Sequence, residues 1–468
     1  MAIATINPTT GETLKTFEPL TDDALEEKLA RAAAAARSYR RTTPEQRAGW
    51  LRSAADVLDA DTDAVAELMT TEMGKTLASA KAEVGKCAAA LRWYAERGPA
   101  LLEPQPYDAD AVGAAQAYVV HQPLGVVLAV MPWNFPLWQA MRFAAPALMA
   151  GNVGLLKHAS NVPQTALYME ELFVKAGFPD HVFQTLLIGS STIERVLRDD
   201  RVAAATLTGS APAGQSVASI AGDALKPTVL ELGGSDPFIV LDADDMEATV
   251  KAATAGRMQN TGQACTASKR LIVTEDVYEP FVQGLKQAFG TFAPGDPSDP
   301  TTSLAPLSSE RAASDLHAQI QDAIDKGATV VAGGKRPEHA GAFVEATILT
   351  DVTPEMRAYR EELFGPAAVV YKVKDAAAAV ALANDSDFGL GATVMSSDVD
   401  RAREVADQLE AGMVWINQPT GSSPELPFGG IKRSGYGREL SELAMFEFAN
   451  RRLLRTVPVK KAEKPQAG

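Results

Sequence analysis

The feature that most constrains the fold of this chain is a regular alternation of β-rich runs with helical segments between Gly125 and Val240. Strands are predicted at 126–131, 153–157, 182–188, 203–208 and 228–231. The helix predicted after Lys157 has Pro163 near its start and Gly177 near its end, where each residue type is favoured. Strands that alternate with helices at these lengths predict a parallel sheet of the Rossmann type.

A second alternation of the same kind follows in the C-terminal half of the chain. Its predicted strands lie at 238–241, 269–273, 329–331, 367–371, 393–395 and 412–416. Residues 21–97 are predicted to be helical from an N-cap at Thr21, and 105–123 is predicted to be extended. We therefore expect an α/β protein with two α/β domains. The tail from Val459 has a composition typical of disorder.

The charge balance argues against one class of partner. The chain of 468 residues carries 44 Lys and Arg against 59 Asp and Glu, which gives a formal net charge of −15. Binding of nucleic acid needs a basic surface, so nucleic acid is not an expected partner. An acidic protein that binds an anionic small molecule must concentrate positive groups at the binding site.

Cysteine usage and the N-terminus indicate a cytoplasmic protein without a disulfide framework or a metal site. The two cysteines, Cys87 and Cys265, are far apart, and no Cys/His cluster has the spacing of zinc ligands. No signal peptide is recognisable. Polar residues interrupt the most apolar stretch, 124–156, so no membrane span is expected.

Cys265 is the first candidate for a reactive group, because it follows the polar, glycine-containing run NTGQA. A lone cysteine is often only a small buried hydrophobic residue, but this run is unlike a core strand or helix. The local context leaves both a packed thiol and a nucleophile open. Cys87 lies in a helical run and is expected to pack.

Three further segments place polar groups beside predicted strand ends. Glu231 precedes two glycines, which allow close backbone approach to a ligand, although a tight strand exit with a solvated carboxylate is the simpler interpretation. Asn134 lies in PWNFP, where its amide either donates to an oxyanion or stabilises a buried turn. The run GSAPAG from Gly209 suits phosphate at a helix N-terminus but lacks the G-x-G-x-x-G pattern.

Taken in order, these and other segments resemble the signature segments of the aldehyde dehydrogenase superfamily. They are PWNFP, GNVGLLKHAS, LTGSAPAG, LELGG, NTGQAC, EELFGP and PFGGIKRSGYGRE. The resemblance covers nearly the whole chain and is strongest to the short bacterial succinate-semialdehyde dehydrogenases. It implies NAD(P)-dependent oxidation of succinate semialdehyde to succinate, through a cysteine thiohemiacetal and a thioester. Another small aldehyde, such as glutarate semialdehyde, is the alternative substrate.

The resemblance also implies roles for individual residues. Cys265 matches the nucleophile, Asn134 the amide that stabilises the oxyanion, and Glu231 the base that activates water. The implied cofactor positions are Trp133, Lys157, Ser160, Gly209, Ser210, Leu232, Glu362 and Phe364. Some members carry, at the position of Ser160, a glutamate that grips the adenosine ribose and would repel a 2′-phosphate. NADP is therefore the expected cofactor, with NAD also usable.

Substrate choice is implied by Arg142 and Ser422, which match residues that bind the distal carboxylate of succinate semialdehyde. A surface or interface salt bridge is the alternative role for Arg142. Some relatives have another carboxylate-binding arginine where this chain has Gln259. Others have a second cysteine where this chain has Ala267, and its absence excludes a regulatory disulfide with a neighbouring cysteine.

The resemblance gives the expected domain organisation and assembly. The expected parts are a Rossmann-type cofactor-binding domain at 1–104 and 124–236, a second α/β catalytic domain at 237–443, a small bridging or oligomerisation segment at 105–123 and 444–457, and a tail at 458–468. A homodimer or a dimer of dimers is implied.

Two rival functions remain open. One is a cysteine hydrolase, although none of the five histidines lies in a Cys/His motif. The other is a catalytically silent member of the family, against which Cys265, Glu231 and Asn134 argue.

Overall fold

A computed structural model describes residues 2–338 and 341–458 of the chain. The helices are α1 (Asp22–Tyr39), α2 (Pro44–Ala60), α3 (Thr62–Met73), α4 (Leu77–Leu101), α5 (Pro136–Ala150), α6 (Pro163–Lys175), α7 (Ile193–Arg198), α8 (Ala211–Asp223), α9 (Met246–Met258), α10 (Glu275–Phe289), α11 (Glu310–Asp325), α12 (Arg357–Arg360), α13 (Ala376–Asn384), α14 (Val399–Ala406) and α15 (Ala444–Glu447). The strands are β1 (Ile3–Ile6), β2 (Thr13–Phe17), β3 (Gln105–Pro106), β4 (Gln116–Pro123), β5 (Val126–Met131), β6 (Val153–His158), β7 (Phe183–Thr185), β8 (Val202–Thr208), β9 (Thr228–Glu231), β10 (Asp236–Val240), β11 (Ser268–Thr274), β12 (Thr329–Ala332), β13 (Thr347–Thr350), β14 (Ala367–Val373), β15 (Phe388–Gly389), β16 (Gly391–Met395), β17 (Met413–Ile416), β18 (Ile431–Lys432), β19 (Gly435–Tyr436) and β20 (Ala449–Thr456).

Helices α1 to α4 fill the region that was predicted to be helical. Thr21 caps α1 by accepting a hydrogen bond from the Ala24 N–H at 3.2 Å. Thr43 and Gln46 form a capping box at the start of α2. Helix α4 packs against α2 and α5, and its buried face includes Cys87, which is fully buried as predicted.

The first sheet has six strands in the order β19-β9-β8-β5-β6-β7. The strands from β9 to β7 run parallel, and β19 pairs antiparallel with β9. Every strand of the first predicted alternation is present, although β7 is shorter than the predicted 182–188. Parallel strands connected by helices confirm the α/β class with a Rossmann-type sheet.

The second sheet has seven strands in the order β12-β13-β14-β11-β10-β16-β17. All neighbours are parallel except β12, which pairs antiparallel with β13. The strands of the second predicted alternation are all here. Strand β13 was not predicted, because its four residues TILT are too few to show a period.

A third sheet joins two segments that are distant in sequence. Strand β20 pairs antiparallel with β4 along its whole length, and β3 pairs with β4 on the other side. The segments predicted at 105–123 and 444–457 therefore lie side by side, while the domain bounds stay a prediction. The tail from Val459 lies outside the described residues. Along the described ranges, no helix is long and apolar enough to cross a membrane.

Candidate active site

The carboxyl edge of the first sheet carries most of the predicted site residues. Strand β5 ends at Met131, paired with His158 of β6, and β8 ends at Thr208, paired with Glu231 of β9. Because these strands are parallel neighbours, the segments that follow them emerge at one edge. The predicted site residues at this edge are Trp133, Asn134, Lys157, Ser160, Gly209, Ser210, Glu231 and Leu232.

A strained turn between α9 and β11 presents Cys265. Asn260, Thr261 and Gly262 have φ values of 53°, 57° and 73°. A positive φ is unfavourable for a β-branched residue such as Thr261, so surrounding contacts must hold the turn. A Cβ at Gly262 would lie 2.3 Å from a backbone oxygen of a facing loop, so only glycine fits there.

One buried arginine clamps this turn to the chain that follows α12. Arg257 is fully buried and donates to the Gly262 carbonyl at 3.3 Å. It also donates to the carbonyls of Leu363 at 2.8 Å and Ala367 at 2.7 Å. Burial lowers the pKa of Arg257 to about 9, so the guanidinium remains charged at neutral pH. The carbonyl acceptors offset the cost of burying that charge.

A buried lysine connects Cys265 to a predicted cofactor residue. Lys269 Nζ donates to the backbone carbonyls of Ala264 at 2.8 Å and Cys265 at 2.6 Å. The same Nζ forms an ion pair with Glu362 Oε1 at 2.9 Å. The Lys269 side chain therefore links the EELFGP segment to the backbone of the candidate nucleophile.

The two glycines after Glu231 permit this close packing. A Cβ at Gly233 would lie 2.5 Å from Glu362 Oε2, and a Cβ at Gly234 would lie 2.6 Å from the Cys265 carbonyl oxygen. The glycines thus form a tight strand exit against neighbouring loops. The expectation of a solvated carboxylate beside them is wrong, because Glu231 is buried.

The amide of Asn134 lies against the Cys265 turn. Its Nδ2 donates to the Gln263 carbonyl at 3.0 Å, and Asn260 Nδ2 donates to the Asn134 carbonyl at 2.7 Å. An amide nitrogen carries two N–H donors, so one remains after the bond to Gln263. The backbone N–H of Cys265 donates to none of the described residues. Two donors beside the thiol therefore remain for a ligand oxygen.

The thiol of Cys265 is half-buried. Burial raises the pKa of Cys265 to about 11, while the positive charges of Arg142 and Lys269 act in the opposite direction. The thiol is therefore protonated at neutral pH. Because the thiolate is the nucleophilic form, a base must take the proton before attack.

Glu231 is one of two carboxyl groups whose charges act on the pKa of Cys265; the other, Glu362, is paired with Lys269. Glu231 is only 2% exposed, and neither carboxyl oxygen has a hydrogen-bond partner among the described residues. Burial and then the charge of Glu439 hold the pKa of Glu231 well above its ordinary value, against the opposing charge of Arg142. A buried, unpartnered carboxyl with a raised pKa is typical of a functional site.

A small cavity adjoins Cys265 between α4, α5 and the segment that precedes β18. It is lined by Lys86, Phe135, Trp138, Gln139, Arg142, Gln259, Ala264, Cys265, Thr266, Gly421, Ser422 and Phe428. Cys265, Arg142 and Ser422, which are far apart in sequence, share this space. Gln259 contributes a neutral side chain to the lining.

Arg142 is 2% exposed and takes part in a buried ion pair. Its Nε lies 2.7 Å from Glu439 Oε2, and its guanidinium carbon lies 4.3 Å from the centroid of the Phe428 ring. Arg142 Nη2 has no hydrogen-bond partner among the described residues. One edge of the guanidinium therefore neutralises Glu439, and Nη2 remains for a ligand.

Ser422 lies between two donors that the sequence analysis missed. Lys86 Nζ donates to Ser422 Oγ at 2.7 Å, and Trp138 Nε1 donates to the same oxygen at 3.2 Å. Trp138 lies close to the PWNFP segment, which was a signal for it. Lys86 gave no such signal, because a lysine on a long helix is ordinarily part of the solvated face.

Two of the predicted cofactor residues, Lys157 and Ser160, lie at and just beyond the end of β6. Lys157 is mostly buried, burial lowers its pKa, and no described carboxylate lies within ion-pair distance of it. The cavity beside Ser160 is lined by His158 and apolar or backbone groups. The rings of two other predicted cofactor residues, Trp133 and Phe364, pack edge to face with centroids 5.7 Å apart.

The fold and this arrangement together define an oxidoreductase of the aldehyde dehydrogenase class. The sequence matches the aldehyde dehydrogenase family over residues 1–454, and the chain therefore belongs to that family. A relative from Deinococcus radiodurans named succinate-semialdehyde dehydrogenase [NADP(+)] is 56% identical over 465 residues, which cover 99% of this chain and 97% of the relative.

Two further proteins illustrate the similarity. Succinate-semialdehyde dehydrogenase [NADP(+)] 1 of Mycobacterium tuberculosis is 55% identical over 96% of this chain and 98% of its own length. The crystal structure of succinic semialdehyde dehydrogenase from Streptococcus pyogenes in complex with NADP+ is 44% identical, with a TM-score of 0.94. That match covers 97% of this chain and 99% of the solved one.

Proposed function

We propose that this protein oxidises succinate semialdehyde to succinate and prefers NADP over NAD. The names of the two curated relatives support this substrate and cofactor. The observation that carries the proposal is the cavity that Cys265 shares with Arg142 and Ser422. A cation and a hydroxyl in the same cavity as a thiol suit an aldehyde whose other end is a carboxylate.

Cys265 is the proposed nucleophile. Loss of the thiol proton to a base gives the thiolate, which forms a C–S bond to the aldehyde carbon as the carbonyl electron pair moves to oxygen. The proposed donors to that oxygen are the free N–H of the Asn134 amide and the backbone N–H of Cys265. One donor of this kind is typically responsible for about 10²–10³ in kcat.

Glu231 is the proposed base for hydrolysis. A nicotinamide cofactor, when bound, would accept a hydride from the substrate carbon, and the oxidised substrate would remain on Cys265 as a thioester. Glu231 then takes a proton from water while the water oxygen adds to the thioester carbon. Cleavage of the C–S bond releases the acid and the Cys265 thiolate. The raised pKa of Glu231 makes its carboxylate a stronger base than an exposed glutamate.

The proposed cofactor residues fit a dinucleotide with a 2′-phosphate. Lys157 offers a positive charge that no carboxylate of the described ranges neutralises, and Ser160 offers a hydroxyl instead of a repelling carboxylate. Lys157 and Glu362 are proposed to hold the two riboses, and the turn at Gly209 to approach the diphosphate. The remaining proposed contacts are Trp133, Ser210, Leu232 and Phe364.

Ser160→Glu tests the cofactor proposal. A carboxylate at this position is expected to repel the 2′-phosphate and to lower the ratio of kcat/KM for NADP to that for NAD at least about tenfold. Ser160→Ala is the matched control and is expected to keep NADP preferred, since it adds no charge. A wild-type enzyme that prefers NAD would contradict the proposal.

A substrate panel tests the choice of aldehyde. We expect kcat/KM to be highest for succinate semialdehyde, lower for the longer glutarate semialdehyde, and lowest for butanal, which has four carbons but no carboxylate. Glutarate semialdehyde is the second candidate, because Arg142 and Ser422 would recognise the carboxylate itself. They would not by themselves select the number of carbons between the carboxylate and the aldehyde. A preference for butanal would contradict an acid-bearing substrate.

We also propose that the enzyme is a cytoplasmic homodimer or dimer of dimers. Strand β20 is mostly exposed and carries the exposed apolar residue Leu453, as expected of a strand that contacts another subunit. Sedimentation velocity of the purified protein tests the assembly. A monomer at micromolar concentration would contradict it.

A further inference from the structure

Lys86 is a half-buried lysine that reaches the substrate cavity from α4. Its Nζ donates to Ser422 Oγ at 2.7 Å and lies 4.4 Å from the centroid of the Trp138 ring. No carboxylate of the described residues lies within ion-pair distance of this ammonium group. A lysine held against an aromatic ring inside a cavity, without an anionic partner, is unusual for a purely structural residue.

The hydrogen bonds around Ser422 fix the direction of its hydroxyl. A serine oxygen has two acceptor lone pairs and one O–H donor. Lys86 Nζ and Trp138 Nε1 both donate to this oxygen, so both lone pairs are used. Lys86 and the Trp138 indole are both donors and cannot accept a hydrogen bond from Ser422. The Ser422 O–H must therefore donate to a third group.

The cavity consequently presents several donors with positive charge. Arg142 lines the same space, and its Nη2 has no partner among the described residues. Burial first, and then the positive charge of Arg142, lower the pKa of Lys86 to about 8. Glu439 balances the charge of Arg142, but Lys86 has no carboxylate partner among the described residues, so an anion that accepts from Lys86, Ser422 and Arg142 Nη2 would be stabilised here.

We propose that Lys86 binds the distal carboxylate of the aldehyde substrate together with Arg142 and Ser422. Lys86 then determines the preference for an acid-bearing aldehyde over a neutral one. This inference rests on the proposed function, because it assigns the second cation for the substrate of that reaction. It also explains how a carboxylate is held although Gln259, in the same lining, carries no charge.

Lys86→Met tests the assignment, because methionine keeps most of the side-chain length and removes the charge. We expect the ratio of kcat/KM for succinate semialdehyde to that for butanal to fall about tenfold to a hundredfold, the range for losing a hydrogen bond to a charged group. Most of the loss should lie in KM for succinate semialdehyde. Lys86→Arg is expected to retain most of the wild-type ratio, because it keeps the charge.

Lys81→Met is the matched control on the same helix. Lys81 is exposed and pairs with Asp63 at 2.7 Å, away from the cavity. This variant is expected to keep the wild-type kcat/KM for each of the two aldehydes, and therefore their ratio. Thermal unfolding of all variants shows whether any change reflects loss of the fold. A second readout does not depend on turnover: bound succinate should protect Cys265 from an alkylating reagent. Lys86→Met should weaken this protection.

The outcomes separate this inference from the proposed function. A wild-type enzyme without preference for succinate semialdehyde over butanal would contradict the proposed substrate and the carboxylate site together. A wild-type preference that Lys86→Met leaves unchanged would contradict only the role of Lys86. Equal losses for both aldehydes would also overturn the role of Lys86, because they would assign it a structural function. Unchanged protection by succinate would overturn it too, because Lys86 would then not bind a carboxylate.

Discussion

Arg142 serves two buried groups at once. It neutralises Glu439 through an ion pair of 2.7 Å, and its charge also opposes the raised pKa of Glu231. Removing one member of a buried ion pair leaves the other without compensation, which is strongly destabilising. A substitution at Arg142 therefore changes both the fold and the substrate preference, and a test must separate the two effects.

Arg142→Ala is expected to raise KM for succinate semialdehyde about tenfold or more and to lower the thermal stability. The double variant Arg142→Ala with Glu439→Gln should recover stability, because no carboxyl remains unpaired, while KM for the acid aldehyde stays high. Steady-state kinetics with succinate semialdehyde and butanal, together with thermal unfolding, measure both. Equal effects on the two aldehydes in the double variant would remove the carboxylate assignment.

Glu231→Gln is expected to raise the free energy of unfolding at neutral and alkaline pH. Glu231 keeps its proton in the folded state at pH values where it has lost it in the unfolded chain. The folded state then binds more protons, so stability falls as pH rises above the ordinary glutamate pKa. Glutamine cannot ionise, so the variant does not lose stability at this position as the pH rises.

Thermal unfolding at about pH 5 and about pH 8 measures the effect of Glu231→Gln. The gain over wild type should be larger at the higher pH, while kcat falls about 10²–10⁴-fold because general-base catalysis is lost. A variant less stable than wild type at alkaline pH would show that the buried carboxyl is not an energetic cost to the fold.

At the level of elements, the Cys265 turn depends on close contact between two loops. Gly262→Ala is expected to lower kcat and stability together, because its Cβ would lie 2.3 Å from the Gly365 carbonyl oxygen and the φ of 73° disfavours alanine. Gly49→Ala, in α2 with no heavy atom within 4 Å of the added Cβ, is the matched control. It should raise stability by about 0.5–1 kcal/mol and leave kcat unchanged.

The two glycine variants are compared by chemical denaturation and by steady-state kinetics. A Gly262→Ala enzyme with wild-type kcat would contradict the view that this turn positions Cys265. A destabilised Gly49→Ala variant would instead question the helical geometry around that site.

The elements were largely predictable because their signals are local. Strands β5 and β9 have the predicted bounds, since apolar runs that end at turn residues mark them directly. Strand β13 was missed because four residues carry no period. The pairing of β20 with β4 is non-local, and neither strand carries a signal for its partner.

The site was predictable only in part, for the same reason. Cys265, Asn134 and Glu231 lie in recognisable segments. The structure brings Asn134 and Glu231 to one edge of the first sheet and packs the Cys265 turn against Asn134, while their catalytic roles stay a prediction. Lys86, Arg257 and Lys269 act through tertiary contacts made across long stretches of chain. A single sequence does not distinguish such residues from other lysines and arginines.

On the scale of the whole molecule, the distribution of charge matters more than its sum. The net charge is −15, yet Arg142, Lys86, Lys157 and Lys269 all lie in or beside the proposed binding sites. The edge of the first sheet carries most of the proposed cofactor residues, and the turn before β11 of the second sheet carries Cys265. Such a local concentration of positive charge would let an acidic protein bind the two anionic ligands that the proposed function requires.

The central claim is that oxidation proceeds through a thioester on Cys265, and trapping that intermediate tests it most directly. The Glu231→Gln variant is mixed with NADP and succinate semialdehyde, quenched with acid, and analysed by mass spectrometry of its peptides. The expected result is a succinyl group on Cys265, formed in step with reduced cofactor, and no product in a Cys265→Ala variant. Reduced cofactor formed at the wild-type rate by Cys265→Ala would contradict the account.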